Sequence, residues 1–389
     1  MSVLILIVGI LLFIVLIITH ELGHFLVARR NGVVPEEFGI FFPPRLYKRK
    51  TKEGWVFSIN LLPLGGFVKL KGEHDTDIGE GSFGAATTWV KTKIMVAGVF
   101  MNFITAVFLL TILAWIGLPQ LIPGQFDVKS ASHISKQEVL VTYVEPHSPA
   151  SSIGIKPENQ IVAIGLPGHL ETIKDTAQLF NATKADAGKT VRIVYKANGN
   201  SLTKEVKLQT AAVVKASQST KHPKGYLGVS PAPLVMKQFS WWGGPVEAIG
   251  LTGQVIKLTF VGLGHALYGL GKIIVGFVSG NSHVREQGQK TASSQVTGPV
   301  GIFVILKDGS VLGYQYMLFI IAIVALTLAI MNILPIPALD GGRLWMMLIS
   351  RGIGMPISAA IEETINAIGM FVLLALIALV TMVDVHRFL

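Results

Sequence analysis

The amino-acid sequence predicts a polytopic α-helical membrane protein with about four transmembrane helices, a β-rich region on the cytoplasmic side and an inserted extracytoplasmic α/β domain. Of the 389 residues, 51% are hydrophobic and 14% are charged, whereas a soluble globular protein carries about 25% charged residues. Four apolar runs approach the ~20 residues that cross a bilayer as a helix. A basic loop follows the first run, and a long segment of mixed polarity separates the second run from the third.

The first predicted span covers residues 1–28 and contains an almost wholly apolar run at residues 3–18. A signal peptide is the alternative, but it would need a basic N-terminal region and a small-residue cleavage site. The sequence begins Met-Ser-Val, without a basic residue, so we expect a retained helix. The other three spans are predicted at residues 94–119, 316–345 and 365–383.

The loop between the first two spans, residues 29–93, sets the predicted orientation. It carries eleven lysines and arginines, and short loops with such an excess stay on the cytoplasmic side. The segment between the second and third spans is then expected outside the cytoplasm. The formal net charge of +10 is dispersed along the chain, which favours membrane-flanking loops over a nucleic-acid-binding surface. We therefore expect a lipid bilayer, and no nucleic acid, as a partner.

The extracytoplasmic segment at residues 126–210 is predicted to be a mixed α/β domain. Residues 138–144 and 190–197 alternate in polarity like strands. Residues 175–185 have helical spacing, with Asp175 as a candidate N-cap.

The core of this domain, residues 145–165, resembles the PDZ domains of bacterial membrane and secreted proteases. It departs from them at Glu158 and Asn159, where the pattern usually has Gly-Asp. A PDZ domain binds a peptide along the edge of its sheet, or it acts as a spacer that restricts access. The sequence leaves both roles open.

The first span ends in an H-E-x-x-H motif formed by His20, Glu21 and His24. Residues four apart share one face of a helix, so both imidazoles point at one ion and Glu21 lies beside it. A catalytic zinc site uses such ligands and keeps one position for water, whose proton a glutamate accepts. The alternative is two histidines that bond to the backbone or to other helices. Because ionisable groups at membrane depth are costly without a partner, the ligand role is favoured.

A third protein ligand is expected at a similar depth, and Asp340 in the third span is the candidate. Pro335 and Pro337 come just before it and break the helix. Gly341 and Gly342 follow it and permit a tight turn or a close approach. The alternative role of the aspartate is the N-cap of the next helix, but the H-E-x-x-H motif favours a ligand.

These motifs resemble the site-2 protease family of intramembrane zinc metalloproteases, in particular the bacterial type with a single PDZ domain. The resemblance rests on H-E-x-x-H in the first span and on N-x-x-P-x-P-x-L-D-G at residues 332–341 in the third. Residues 97–103 are similar to the family's A-G-P-x-x-N-F, with Val99 in place of proline. Residues 65–73 resemble its membrane-re-entrant β-loop, and residues 297–302 precede the third span as in members of the family. The resemblance covers nearly the whole chain.

The resemblance implies a zinc metalloendopeptidase of the bacterial plasma membrane. His20, His24 and Asp340 would bind Zn²⁺, and Glu21 would be the catalytic base. The implied substrates are single-span membrane proteins, such as anti-sigma factors, or remnant signal peptides. They would be cut near the cytoplasmic side in regulated intramembrane proteolysis.

Substrate binding is expected at a strand edge, because a transmembrane helix must be unwound before water attacks it. Residues 54–70 are β-rich, and an exposed edge there would hold an extended peptide. The residues of this predicted site are Gly66, Phe67, Val68 and Lys69. The alternative is an ordinary hairpin that packs against the end of the first span.

Asn332 is a polar residue within an apolar helix. The resemblance implies that it contacts substrate near the zinc. The alternative is a hydrogen bond between helices.

Residues 246–278, within an extracytoplasmic region at 225–310, are apolar enough to resemble a further span. An additional crossing would place Asp340 on the opposite face of the membrane from His20 and His24. We therefore predict that this segment is an interfacial helix.

Two other functions compete with a protease. One is a catalytically idle membrane scaffold with a peptide-binding PDZ domain. The other is a metal-dependent transporter that uses the intramembrane histidines and aspartate as an ion path. Glu21 disfavours the scaffold, since only hydrolysis specifically needs it. A transporter is expected to show internal repeats, and the sequence shows none.

Overall fold

A computed structural model of the chain describes residues 2–73, 77–197, 199–219, 223–293, 298–355 and 357–388. Residues 294–297, which include the first residue of the family-like stretch 297–302, lie outside the described residues. The helices are α1 (Ser2–Arg30), α2 (Thr88–Ile116), α3 (Pro149–Ser152), α4 (Thr176–Ala185), α5 (Ala211–Ser217), α6 (Gly243–Val278), α7 (Ser282–Ser293), α8 (Pro299–Leu312), α9 (Tyr314–Ile333), α10 (Asp340–Ile353) and α11 (Ala359–Phe388). The strands are β1 (Pro35–Lys50), β2 (Val56–Leu70), β3 (Leu118–Pro119), β4 (Ser132–Val144), β5 (Gln160–Leu166), β6 (His169–Thr172), β7 (Thr190–Ala197), β8 (Asn200–Lys207) and β9 (Val229–Phe239).

The chain divides into two compact units. The site unit comprises Met1–Thr111, Ala248–Ser310 and Met317–Leu389. The inserted unit comprises Ile112–Glu247 and Val311–Tyr316. All the predicted site residues belong to the site unit.

Five helices within the described residues are long and apolar enough to cross a membrane. They are Val3–Arg30, Thr88–Ile116, Gly243–Val278, Tyr314–Ile333 and Ala360–Val385. The predicted polytopic membrane protein is thereby confirmed. The sequence predicts about four spans, and the fifth helix is α6, which contains the segment predicted to be interfacial. Length and composition alone do not distinguish these two placements of α6, so its interfacial position stays a prediction.

Helix α1 continues without a break through the polar cluster to Arg30. Its last turn carries Arg29 and Arg30, whose positive charges interact favourably with the C-terminal end of the helix dipole. The helix ends where the Asn31 side chain donates to the Val27 carbonyl at 2.7 Å and Gly32 adopts a φ of +79°. A left-handed glycine is a common helix terminator.

Strands β1 and β2 form one sheet in which each strand pairs twice. Phe38 is opposite both Phe57 and Val68, so the first half of β1 lies between the two halves of β2. The second half of β1 pairs with the first half of β2, as at Lys48 and Ser58. The last part of β2, residues 66–70, is therefore an edge strand. Nothing in the described part of the chain pairs as a strand with its outer side.

The inserted unit is built on a seven-stranded sheet with the order β3-β9-β4-β5-β7-β8, and β6 pairs with β5. The predicted strands at 138–144 and 190–197 are confirmed as parts of β4 and β7. The predicted helix is α4, and Asp175 caps it by accepting from the Gln178 N–H at 2.8 Å. The sheet extends beyond the predicted boundary at residue 210, because β9 pairs along the length of β4.

Glu158 has a backbone conformation that is typical of glycine. Its φ is +72°, in the left-handed region that glycine adopts most readily. The next residue, Asn159, supports the turn by accepting from the Lys156 N–H at 3.0 Å. The turn is therefore formed despite the departure from Gly-Asp.

The core of the inserted unit consists of aliphatic residues that alternate along the central strands. Val139, Ile161, Val191 and Ile193 are all fully buried. This alternation matches a sheet with one face packed and one face toward solvent.

Candidate metal centre

Two histidines from α1 and one aspartate from α10 meet at a single point. The His20 Nε2 and His24 Nε2 atoms lie 3.3 Å apart. Asp340 Oδ2 lies 3.0 Å from the first and 3.2 Å from the second. The four-residue spacing on a continuous helix places both imidazoles on the same face, and α10 supplies the third group. The structure thus brings together all three predicted ligands.

The geometry of this cluster fits a zinc ion. Tetrahedral ligands with bonds of about 2.0–2.2 Å lie roughly 3.3–3.5 Å from each other. The observed separations of 3.0–3.3 Å are slightly smaller, so small side-chain rotations suffice to seat the ion. Both histidines are buried at 8% exposure. The aspartate side chain is 30% exposed, which leaves one side of the cluster open for water or substrate.

Asp340 reaches the histidines because the chain breaks between α9 and α10. The break at residues 334–339 contains both prolines and the left-handed Ala338, with a φ of +73°. Asp340 is the first residue of α10, whose N-cap is Leu339, and no side chain makes a capping bond there. The alternative capping role predicted for Asp340 is therefore not the one observed.

Gly341 and Gly342 let the start of α10 lie directly against the end of α9. A Cβ at Gly341 would lie 2.3 Å from the Leu334 carbonyl oxygen, and one at Gly342 would lie 2.2 Å from that of Ile336. Any larger residue would push α10 away from α9. The predicted close approach is confirmed.

Helix α2 lines the other side of the cluster with a stripe of three residues, Ile94, Gly98 and Asn102. The His24 Nδ1 atom is 2.7 Å from the Ile94 carbonyl oxygen. A Cβ at Gly98 would lie 2.3 Å from His24 Nε2. The Asn102 amide nitrogen lies 3.2 Å from His20 Nδ1.

This α2 stripe is missed by reasoning from the sequence. Residues 97–103 support the family resemblance, but the sequence pattern assigns no role to Gly98 or Asn102. The signal is the four-residue spacing of a glycine and a buried amide within an apolar span. Ile94 acts through its backbone carbonyl, which no side-chain pattern reveals.

Glu21 lines a cavity of about 470 Å³ beside the cluster. His24 and Asp340 line the same cavity, and so does the edge strand with all four predicted residues, Gly66, Phe67, Val68 and Lys69. A Cβ at Gly66 would lie 2.8 Å from Glu21 Cγ, so the glycine lets the strand approach the glutamate. The cavity is thus bordered by two of the candidate metal ligands, by the Glu21 carboxylate and by an unpaired strand edge.

Asn332 lies beside the cluster on α9. Its amide nitrogen is 3.5 Å from His20 Nε2. The amide therefore lies next to the position of the ion, on the same side as the break between α9 and α10.

Comparisons with known proteins agree with this arrangement. The model of a family described as peptidase family M50 matches residues 8–376. A Clostridium acetobutylicum protein and a Clostridium perfringens protein, both named as zinc metalloproteases, are 30% and 29% identical to this chain. The matches cover 97% of this chain in both cases, and 96% and 97% of the respective relatives. The regulator of sigma-E protease RseP of Escherichia coli is 26% identical over 96% of both chains.

Proposed function

The chain belongs to peptidase family M50, the family of the site-2 proteases, and is a zinc metallopeptidase; from this premise we propose that it hydrolyses transmembrane segments of membrane proteins within the bilayer. The observation that carries the proposal is the meeting of His20, His24 and Asp340 at 3.0–3.3 Å, with Glu21 lining the adjoining cavity. The candidate ligand atoms come from two apolar segments that are far apart in the sequence.

Each residue of the site has a distinct chemical task. His20, His24 and Asp340 would hold the zinc, which when bound polarises the scissile carbonyl and lowers the pKa of a water molecule. Glu21 accepts the proton of the attacking water and passes it to the leaving amine. The buried surroundings of the histidines exclude bulk water and strengthen these electrostatic interactions.

The substrate would lie in the cavity as an extended strand. Residues 66–70 form an edge whose outer side meets no other strand in the described chain, and an edge of this kind binds a peptide through main-chain hydrogen bonds. The same sheet also packs against the end of α1, where the Phe25 ring lies 5.7 Å from the ring of Phe38 in β1. Packing and binding involve different parts of the sheet, so the first does not exclude the second. Asn332 would bond to the substrate backbone beside the metal.

The proposed substrates are single-span membrane proteins, such as anti-sigma factors, or remnant signal peptides. The name of the Escherichia coli relative, a regulator of sigma-E protease, supports a role in regulated intramembrane proteolysis. The inserted unit, proposed as a PDZ domain, would either bind the newly trimmed end of a substrate or exclude substrates with large outer domains.

The proposed location is the bacterial plasma membrane, with the metal centre toward the cytoplasm and the PDZ domain outside. In this topology α6 does not cross. The polar helix α7 supports this, because it packs closely along the last third of α6: a Cβ at Gly269 would lie 2.6 Å from the Ala292 nitrogen. Such a polar partner suits an interface better than hydrocarbon.

Cysteine labelling tests this topology, and the chain has no native cysteine to interfere. Lys257→Cys in α6 and Lys224→Cys in the inserted unit are expected to react with an impermeant reagent from the same side. Labelling from opposite sides would refute the interfacial placement of α6.

The hydrolytic function is tested with Glu21→Gln in the full chain. Glutamine cannot accept the proton, and general-base catalysis contributes about 10²–10⁴-fold to rate. We expect zinc content equal to that of the unmodified protein, with cleavage of a membrane-embedded substrate lowered by that factor. Glu286→Gln, at an exposed glutamate on α7, serves as the control. Equal cleavage by the Glu21 variant would reject the mechanism, and bound zinc without cleavage over a broad substrate panel would favour the idle scaffold.

A further inference from the structure

Helix α2 gives no ligand to the metal centre, yet it contacts both histidines. Ile94, Gly98 and Asn102 are spaced four residues apart, so they lie on one face of α2. Ile94 is beside His24, and Asn102 is beside His20. The earlier residue of the α2 stripe thus contacts the later histidine of α1, and the later residue contacts the earlier histidine. This order is expected for two antiparallel helices.

The contact at Ile94 fixes the tautomer of His24. A carbonyl oxygen only accepts hydrogen bonds, so His24 Nδ1 must carry the hydrogen in its 2.7 Å contact with the Ile94 oxygen. In a neutral imidazole the other nitrogen then has the free lone pair. That nitrogen, Nε2, is the atom that faces Asp340 Oδ2 at 3.2 Å.

His20 needs the same tautomer, and its only Nδ1 contact among the described hydrogen bonds is the amide of Asn102. If the amide NH₂ donated to Nδ1, the ring hydrogen would sit on Nε2 and point at the metal position. A nitrogen that carries a hydrogen has no lone pair for zinc. The two ends of an asparagine amide have the same shape, and the hydrogen-bond network determines which end faces a partner.

The side-chain oxygen of Asn102 is available to accept a hydrogen bond from His20. Asn102 is 1% exposed, and its Oδ1 atom has no hydrogen-bond partner within the described part of the chain. A half-turn of the amide places this oxygen on His20 Nδ1. We propose that Asn102 accepts the Nδ1–H of His20 and is the positioning residue that fixes this histidine in the zinc-binding tautomer.

The absence of a side chain at Gly98 allows α2 to lie close to both histidines. A Cβ at this position would lie 2.7 Å from His20 Nε2 as well as 2.3 Å from His24 Nε2. The missing side chain lets α2 approach until its amide and its carbonyl reach the two Nδ1 atoms. Ligand-orienting contacts of this kind change metal affinity by about 10–100-fold when removed.

The test compares zinc affinity in the full-length protein, measured by competition with a chelator. Asn102→Leu has a similar size but no acceptor, and it should bind zinc about 10–100-fold more weakly. Asn102→Asp has only acceptor oxygens and should retain affinity within a few-fold. Thr111→Val, a polar-to-apolar change on α2 away from the face of the stripe, is the control. The experiment rests on the zinc site of the proposed function, but its readout needs no cleavage, so it stands even if the protein is an idle scaffold.

The outcomes separate positioning from simple packing. Zinc affinity that is retained in Asn102→Asp but weakened in Asn102→Leu supports the proposal. Equal affinity of the leucine variant and the unmodified chain would overturn it. So would equal weakening by leucine and aspartate, which would assign the effect to the amide's donor or to its shape. If the leucine variant fails to fold, Asn102→Ala replaces it, and the same contrast with aspartate decides.

Discussion

Helices α1 and α2 have the same length of 29 residues and are both strongly apolar, but they contribute to the metal centre in different ways. Helix α1 supplies titratable side chains, His20, Glu21 and His24. Helix α2 supplies a backbone carbonyl, an absent side chain and one amide. Metal ligands therefore stand out in an apolar sequence, whereas the groups that orient them do not. Four predictions test this division, in order of decreasing expected effect.

The largest effect is expected from removing a ligand on α1. His24→Ala leaves two protein ligands and an empty space, so zinc content and cleavage should both fall to background. Metal analysis and the embedded-substrate assay measure the two losses. His265→Ala, an exposed histidine on α6, should change neither. Full zinc occupancy in the His24 variant would show that α1 does not provide the ligands.

A large but smaller effect is expected from Asp340→Asn. The amide oxygen retains the position of a ligand atom but loses the negative charge that attracts zinc. Because this change alters a direct ligand, the loss of zinc affinity should exceed the ~10–100-fold typical of outer contacts. Chelator competition measures it. Unchanged affinity would mean that the contact of Asp340 with the histidines is structural.

Gly98→Ala tests the other helix. The added methyl group would meet both histidine rings, and overpacking of this kind costs about 1–3 kcal/mol. We expect lower thermal stability together with weaker zinc binding. Gly253→Ala is the matched control, because nothing lies within 4 Å of its added Cβ. If the two alanine variants behave alike, α2 does not approach the centre closely enough to contact both rings.

The smallest effect is expected far from both helices, at the cap of α4. Asp175→Ala removes the bond to the Gln178 N–H and should cost about 1 kcal/mol of stability in the inserted unit. Thermal unfolding measures this cost. Zinc affinity should not change, since the cap contacts no ligand. A loss of zinc would contradict the division of the chain into two units.

The ligands are predictable from the sequence because an ionisable side chain at membrane depth is energetically unfavourable without a partner. Histidine and aspartate at membrane depth require partners, so Asp340 can be matched to His20 and His24 once the H-E-x-x-H motif calls for a third ligand. The strands of the inserted unit and the Asp175 cap are predictable from alternation and capping chemistry.

The remaining features depend on tertiary contacts. The Ile94 carbonyl has no signature in the sequence, and Gly98 looks like any small residue in a span. The double pairing of β1 with β2 follows from bends that alternation does not encode. The pairing of β9 with β4 joins residues as far apart in the sequence as Ser132 and Phe239, which local patterns do not predict.

The proposed zinc centre, with two imidazoles and one carboxylate as ligands, can be examined by X-ray absorption at the zinc edge of the purified full-length protein. We predict a first shell of nitrogen and oxygen atoms at about 2.0–2.2 Å and outer-shell scattering from two imidazole rings. In His24→Ala, any residual zinc should show scattering from one ring. A shell without imidazole scattering, or a signal that is unchanged in the His24 variant, would contradict the account.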